Sequence, residues 1–297
     1  MSPDPREMRN GLLAGVGAYA IWGILPLYLK LLTGVPAADV LSHRILWSLV
    51  AVGALLLVTG AAGRVRAALA QPRLMGLLLL SALAIAANWL IYTAAILEGH
   101  VLDTSLGYFI NPLINVLFGV VLLGERLSRP QWAAVAFALA GVAVLTISRG
   151  ALPLISLGVA LSFALYALIR KQAVVDSATG LFLETLMLTP LALVWLSTRP
   201  EPAWHWPGGT LALLAAAGVL TATPLMLFAV AARRLKLSTL GLMQYATPTI
   251  VMLEAIFIFG EPLSGAMLAA FALIWAGLLV YTVTTFSGPM ARARVSR

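Results

Sequence analysis

The fold is decided by residues 112–146, PLINVLFGVVLLGERLSRPQWAAVAFALAGVAVLT, which return at an offset of 136 as PTIVMLEAIFIFGEPLSGAMLAAFALIWAGLLVYT at residues 248–282. Both copies hold the pattern Pro-x11-Gly-Glu-x-Leu-Ser. Chance similarity between apolar stretches would supply the matching alanines but not the matching polar residues. A weaker echo links residues 22–30 to residues 163–171 at an offset of 141. The chain therefore contains an internal duplication.

The composition is that of a membrane protein. Hydrophobic residues make up 61% of the 297 residues and charged residues only 10%, whereas soluble domains carry about 25% charged residues. So few charged side chains cannot cover a water-facing surface, which argues against a soluble globular protein, a disordered protein and a nucleic-acid binder. The absence of cysteine excludes disulfides, thiolate metal sites and thiol catalysis.

Ten apolar runs are each long enough for a helix to cross the roughly 30 Å apolar core of a bilayer. Short segments with Pro, Gly or charge separate them, for example the loop Gly63–Arg66. Strand-like alternation is absent, so a β-barrel is not expected. We expect the first run to be retained, because about 22 residues exceed the apolar core of a signal peptide. The predicted fold is an all-α polytopic membrane protein with ten transmembrane helices at residues 11–32, 40–60, 74–97, 104–123, 131–149, 151–169, 180–198, 211–231, 237–259 and 264–286.

The basic residues orient the chain. With a cytoplasmic N-terminus, 15 of the 19 lysines and arginines fall on the cytoplasmic side, which is the positive-inside bias of membrane proteins. The four on the outer side are Lys30, Arg44, Arg149 and Arg199. The net charge of +8 is therefore a topology signal, with attraction to anionic lipid, and both termini are predicted to be cytoplasmic.

Each copy of the duplication holds five of the predicted spans. Because five is odd, the second copy must enter the membrane from the opposite side to the first. Inverted repeats are typical of secondary transporters, whose halves rock around a site at mid-membrane. The alternative is a duplication that only builds a stable bundle, as in some channels. The predicted organisation is a cytoplasmic N-terminus at 1–10, five-helix repeats at 11–149 and 151–286, and a basic cytoplasmic C-terminus at 287–297.

Motifs along almost the whole chain carry a resemblance to a known family. They are Ala20–Gly23, His43–Arg44, Asn88–Tyr92, Ser105–Pro112, Gly124–Leu127, Ser162–Tyr166, Arg170–Lys171, Glu184–Thr185, Gln244–Pro248 and Gly260–Glu261. In these motifs the chain resembles the drug/metabolite transporter superfamily, EamA type, and within it the RarD branch, related to amino acid exporters. The resemblance implies ten helices in two five-helix repeats, a place in the bacterial inner membrane, and export of amino acids or other small metabolites. The RarD name is also tied to chloramphenicol sensitivity.

Glu254 is the deepest carboxylate of the predicted spans. At about 100° per residue it shares a helix face with Thr247 and Val251. Pro248 lies in the same helix, where a proline can bend the helix and open a polar spot. An apolar environment favours the protonated form of a carboxyl group, so we expect Glu254 to carry a proton in a coupling cycle. The alternative is a neutral side chain that hydrogen-bonds a neighbouring helix.

Amides and aromatic side chains point to a substrate cavity. Tyr108, Asn111 and Asn115 lie within about 60° of one another on the fourth span, and Asn88 and Tyr92 share a face of the third. Such walls suit an amphiphilic ligand, for example an amino acid or an aromatic drug. The alternative is hydrogen bonding or packing between helices without a ligand. The predicted substrate-binding residues are Trp22, Asn88, Trp89, Tyr92, Tyr108, Asn111, Asn115, Tyr166, Gln244 and Tyr245.

His43, Arg44 and Glu184 are the predicted gating residues. His43 and Arg44 open the second span at the outer mouth, and Glu184 opens the seventh span from the cytoplasmic side, so Arg44 and Glu184 should not pair. The alternative role is plain neutralisation of charges near helix ends. The expected partners are Asp39, Glu98, Asp103 or Glu261 for Arg44, and Arg170 or Lys171 for Glu184.

Enzyme motifs are missing from the sequence. The chain lacks H-E-x-x-H, G-x-S-x-G, a paired acidic box and a Gly-rich phosphate loop, so no catalytic residue, cofactor or metal is expected. We predict a secondary transporter that exports small amphiphilic metabolites by alternating access. Its expected partners are a small-molecule substrate and the lipid bilayer, without nucleic acid, and a monomer is compatible with the sequence. A facilitator or channel-like pore and a membrane scaffold are the alternatives.

Overall fold

The computed structural model describes residues 5–123, 129–200, 205–235 and 243–295, and every regular element within these ranges is a helix. The all-α class is therefore as predicted. The helices are α1 Pro5–Gly23, α2 Leu25–Lys30, α3 Ala37–Val58, α4 Ala62–Leu69, α5 Pro72–Leu97, α6 Val101–Leu123, α7 Arg129–Arg149, α8 Leu154–Gln172, α9 Ser177–Ser197, α10 Gly208–Arg234, α11 Ala246–Phe257 and α12 Gly265–Val295.

Eight helical stretches within these ranges are long and apolar enough to cross a membrane, and two shorter ones, Leu154–Arg170 and Ala246–Phe257, are apolar as well. A helix satisfies its backbone polar groups internally, which lipid requires of any spanning segment. Large apolar side chains such as Leu57, Val58 and Ile147 are mostly exposed on the outside of the bundle, where lipid would cover them. The chain is thus an α-helical polytopic membrane protein.

The short loop predicted at Gly63–Arg66 is wrong, because these residues belong to helix α4. This helix exposes Arg64 and Arg66 while Val65 and Ala68 pack against the core. A short amphipathic helix of this kind escapes a search for long apolar runs. The first predicted span also contains a break between α1 and α2, where Pro26 lies in the first turn of α2 and supplies no backbone N–H.

The boundaries of the later spans differ more from the prediction. The ninth span was predicted at 237–259, but α11 begins at Ala246, and residues 236–242 lie outside the described ranges. The last helix, α12, continues to Val295, past the predicted end at 286. The Gly124-Glu125 pair of the first repeat also lies outside the described residues.

Helix contacts recur between the two halves. Helix α1 packs on α10 and α5 on α8; α6 packs on α8 and α1 on α11; α3 packs on α10 and α5 on α9. If the helices of the first predicted five-helix repeat are exchanged with those of the second, each of these contacts becomes the other member of its pair. Three further large contacts join corresponding helices of the two predicted repeats, so the exchange leaves them unchanged. They are α7 with α12, α3 with α9 and α6 with α11.

One hydrogen bond between helices has a counterpart at the matching positions of the sequence repeat. The Nδ2 of Asn111 on α6 donates to the carbonyl oxygen of Ala160 on α8 at 2.9 Å. The hydroxyl of Thr247 on α11 donates to the carbonyl oxygen of Tyr19 on α1 at 3.0 Å. Thr247 is the counterpart of Asn111 at the first offset of the sequence repeat, and Ala160 is the counterpart of Tyr19 at the second.

Two glycines make the contact between α7 and α12 close. A Cβ atom on Gly141 would lie 3.1 Å from the carbonyl oxygen of Ala270, and one on Gly277 would lie 2.8 Å from that of Ala134. In the sequence repeat Gly277 is the counterpart of Gly141, and Ala270 is the counterpart of Ala134. Small residues at such interfaces let membrane helices approach closely.

Candidate functional site

A polar hub joins α5, α6 and α8. Asn88 is almost fully buried, and its Nδ2 donates to the carbonyl oxygen of Val159 at 3.0 Å and to the hydroxyl of Ser162 at 3.1 Å. Its Oδ1 accepts from the hydroxyl of Tyr108 at 3.2 Å. The structure therefore brings together two of the predicted substrate-binding residues, from adjacent helices, around one amide.

A continuous row of aromatic rings leads away from this hub. Ring centroids are 5.8 Å apart for Tyr92 and Tyr108, 5.7 Å for Tyr108 and Phe163, and 5.9 Å for Phe163 and Tyr166. These separations fit attractive edge-to-face and tilted packing. The row thus connects the hub to Tyr166, another predicted site residue.

The three predicted residues on one face of α6, Tyr108, Asn111 and Asn115, have different surroundings. Asn111 is buried and uses its amide donor on the backbone of α8. Asn115 is exposed and donates to the Oδ1 of Asn111 at 3.1 Å. These contacts favour an interhelical hydrogen bond for Asn111 and an intrahelical one for Asn115, while Tyr108 faces the hub.

The other predicted substrate-binding residues, Trp22, Gln244 and Tyr245, lie at other interfaces. Trp22 packs with Tyr19 at 5.7 Å and with Phe228 on α10 at 6.0 Å between ring centroids. Tyr245 precedes α11 and its phenol interacts with the hydroxyl of Thr282 on α12. Gln244 is half-buried next to it.

Arg44 lies inside the bundle among α3, α5 and α10. Its side chain is only 3% exposed. The Nε donates to the hydroxyl of Thr221 at 3.2 Å and an Nη1 hydrogen to that of Thr93 at 3.3 Å. The guanidinium carbon stands 4.9 Å from the ring centroid of Trp89, which is a cation–π distance. Trp89 is therefore a wall of the Arg44 site.

The expected ion pairs of Arg44 at the outer mouth are wrong. Helix α3 begins at Ala37, so Arg44 is its eighth residue and lies about 10 Å along the axis from the helix start. Three of the four carboxylates expected to meet it have other contacts. Asp39 pairs with Arg199 at 3.4 Å and accepts from Trp195, Asp103 pairs with Arg149 at 3.0 Å, and Glu261 accepts from the backbone N–H groups of Val101 and Leu102 at 2.6 and 2.8 Å.

Glu184 has the cationic partner that the sequence predicts. Its Oε1 lies 3.6 Å from Nη1 of Arg170 and also accepts from the hydroxyl of Ser81. Gly180 makes room for the guanidinium, because a Cβ atom there would lie 2.1 Å from Nη1 of Arg170. The phenol of Tyr166 hydrogen-bonds Arg170, so this cluster meets the end of the aromatic row. The side chain of Lys171, the other expected partner, lies outside what the structure describes.

Glu254 is 5% exposed, and its Oε2 has no hydrogen-bond partner among the described residues. Glu254 and Arg44 both interact electrostatically with the phenol of Tyr92, so both groups lie near the aromatic row. His43 is half-buried, one turn beyond Asp39, and its Nε2 likewise lacks a partner in the described part of the chain.

Several site residues escaped the sequence reasoning. Thr93, Thr221 and Ser81 are single hydroxyls in apolar helices, and only the tertiary contacts single them out. Their one signal in the sequence is a hydroxyl within an otherwise apolar run, which is common in membrane helices. Among the described residues no group of three or more histidines and carboxylates is placed to hold a metal ion.

Comparisons with known proteins place this geometry in context. Residues 9–147 match the EamA-like transporter family. An uncharacterized transporter of Vibrio cholerae is 43% identical over 287 residues, 95% of each chain. The RarD protein of Salmonella typhimurium is 44% identical over 284 residues, 94% of this chain and 97% of its own. A solved crystal structure at 24% identity covers 92% of this chain and 97% of its own with a TM-score of 0.58, which shows a similar fold.

Proposed function

The chain belongs to the RarD-like branch of the EamA family, in the drug/metabolite transporter superfamily, and on this premise we propose that it exports small amphiphilic metabolites. It is a multi-pass membrane transporter of the bacterial inner membrane, and its substrates are small molecules. Amino acids are the first proposed substrates, and amphiphilic drugs such as chloramphenicol the second. The observation that carries the proposal is the hub of Asn88 and Tyr108, together with two buried ionisable side chains nearby. These are Arg44 and Glu254, and neither has an ionic partner among the described residues.

The proposed architecture is ten spans in two inverted five-helix repeats, 11–149 and 151–286, with both termini in the cytoplasm. The paired hydrogen bonds of Asn111 and Thr247, and the paired glycine contacts between α7 and α12, support it. Transport then follows from rocking of the halves around a central site, which exposes the site alternately to each side.

The proposed substrate site is centred on Asn88, Trp89, Tyr92 and Tyr108. Hydroxyl and amide groups there offer hydrogen bonds, and the aromatic faces offer apolar contact, as amphiphilic ligands require. Tyr166 closes the cytoplasmic end of this row. Trp22, Asn111, Asn115, Gln244 and Tyr245 complete the proposed site from the surrounding helices when the halves rearrange.

Glu254 is the proposed proton carrier. A carboxyl group in an apolar helix is stable when protonated, and its Oε2 has no hydrogen-bond partner in the described structure. Such groups in transporters form proton relays. In the proposed cycle Glu254 loses its proton to the cytoplasm and takes one up from outside, while the substrate moves outward.

Glu184 and Arg170, with Ser81 and Tyr166, form the proposed cytoplasmic gate. The pair links α8 with α9, and Ser81 adds α5. Opening a path between these helices would separate the carboxylate from its partners, so the closed state is held by the ion pair. The predicted gate residue His43 belongs to the opposite end of the bundle, next to Arg44.

Purified protein in proteoliposomes tests the function. We expect saturable flux and counterflow of labelled amino acids, increased by an imposed pH gradient. Flux without saturation or counterflow would identify a channel-like pore instead. A lack of flux for every amino acid and for chloramphenicol would overturn the proposal.

A further inference from the structure

Arg44 and Glu184 occupy matching places in the two halves. Each is the eighth residue of its helix, α3 or α9, and these two helices are the second spans of their repeats. Each also forms a hydrogen bond with a hydroxyl on the third span of the other repeat. Arg44 donates to Thr221 on α10, and Glu184 accepts from Ser81 on α5. Each half thus holds a buried charge at this matching position.

Among the described residues, only one of these charges has an ionic partner. Glu184 is neutralised by Arg170 of α8. The residue that corresponds to Arg170 at the offset of 141 is Leu29 of α2, a fully buried apolar side chain. Arg44 is held by two neutral hydroxyls and one indole face, and none of the ion pairs in the described part of the chain includes it.

An unpaired guanidinium inside a membrane protein is costly, so proteins keep such groups paired or use them to bind ions and substrates. The surroundings of Arg44 suit an organic anion. A guanidinium binds carboxylates through parallel hydrogen bonds, its charge acts on the phenols of Tyr92 and Tyr108, and Trp89 supplies an apolar wall. A carboxylate would therefore supply the negative charge that Arg44 lacks among the described residues.

We propose that Arg44 binds the carboxylate of the transported substrate, so that the substrate class is amino acids and related organic acids. This inference rests on the proposed function. Arg44 lies against Trp89 and interacts electrostatically with Tyr92 and Tyr108. The substrate's side chain packs against these rings while its carboxylate replaces the contacts of Arg44 with Thr93 and Thr221.

Ligands that share one side chain test the inference. Detergent-purified protein is titrated with phenylalanine, 3-phenylpropionate, phenylalaninamide and phenethylamine, and binding is followed by the shift in thermal unfolding. We expect the two carboxylates to bind at least roughly tenfold more tightly than the two cations without one. Arg44→Gln should remove this preference and Arg44→Lys should keep part of it, while Arg66→Gln, which changes the net charge equally on the exposed helix α4, should keep all of it.

Each outcome separates this inference from the proposed function. Equal binding of phenylalanine and phenylalaninamide by the wild type, or no binding of any carboxylate, overturns the role of Arg44. A folded Arg44→Gln variant that keeps the full preference for carboxylates overturns the role of Arg44 as well. If that variant does not fold, the titrations of the wild type and of Arg44→Lys test the role instead. Carboxylate-dependent binding without flux in proteoliposomes would leave Arg44 in place and remove the transport function instead.

Discussion

Helices α3 and α9 are matching elements of the two halves, yet their charges are treated differently. Helix α9 is capped by Asp176, whose carboxylate accepts from the N–H of Thr179, and it carries Glu184 paired with Arg170. Helix α3 is preceded by Pro36, which provides no side-chain cap, and it carries Arg44, which has no ionic partner in the described structure. The position of a buried charge is thus similar in the two helices, while the neighbouring side chains determine whether that charge has an ionic partner.

The largest expected effect breaks the ion pair of α9. Arg170→Gln leaves the buried carboxylate of Glu184 without a cation, which should lower stability by about 3 kcal/mol. The double variant with Glu184→Gln should regain most of the loss, because no charge is then left unpaired. Thermal unfolding in detergent measures both.

Arg44→Gln is the matched variant for α3. Its removal leaves no opposite charge behind, so the unfolding temperature should stay unchanged or rise. A loss as large as that of Arg170→Gln would mean that another part of the chain neutralises Arg44, and the contrast between the two helices would disappear.

Glu254→Gln tests the second buried ionisable group that has no ionic partner among the described residues. The variant keeps the shape of the side chain but cannot exchange a proton, so flux in proteoliposomes should lose its dependence on an imposed pH gradient. The unfolding temperature should not fall, and Glu98→Gln, an exposed carboxylate at the end of α5, should retain the full dependence. Unaltered dependence in Glu254→Gln would remove this residue from the coupling mechanism.

Tyr108→Phe tests the hub next to Arg44. The variant loses one hydrogen bond to Asn88 while the ring contacts remain, so apparent substrate affinity should fall roughly five- to tenfold with little change in expression. Thr247→Val removes a hydrogen bond of similar strength to the backbone of α1 and should lower the unfolding temperature rather than the affinity. Equal effects of both variants on affinity would count against a specific role of the hub.

The smallest expected effect concerns the cap of α9. Burial alone would raise the pKa of Asp176, but hydrogen bonds from Thr179 and the charge of Arg64 outweigh it and hold the pKa below its ordinary value. The resulting stabilisation is complete above the pKa of an unfolded aspartate, about 4, and is lost as the pH falls through the lower pKa of the folded state.

Asp176→Ala should therefore cost about 0.5–1 kcal/mol at pH 7, with little of it from the half-exposed pair with Arg64. The difference between wild type and variant should shrink as the pH falls below about 4, as unfolding curves at pH 7 and at successively lower pH would show. A difference that persists at low pH would mean that the cap acts without its charge.

Most residues of the candidate site could be singled out from the sequence, but most of their contacts could not. The pairing of Glu184 with Arg170 was predictable because both lie near the same short connection between consecutive spans. The contacts of Arg44 were not, since Thr93 and Thr221 lie 49 and 177 residues away along the chain. The meeting of Tyr108 with Asn88 was expected only in general terms, because the rotation of each helix about its axis is not written in its hydropathy.

The sequence by itself determined the membrane class, the helical runs and the duplication, because hydropathy, run length and offset are properties of the chain alone. Tertiary structure decided which buried charge has a partner. Close helix approaches set that outcome: Gly180 admits the guanidinium of Arg170 to Glu184, and Gly107 lets α6 approach the carbonyl oxygen of Ser156 on α8. Such contacts depend on the rotation and spacing of helices that are distant in sequence, so they arise only when the bundle is assembled.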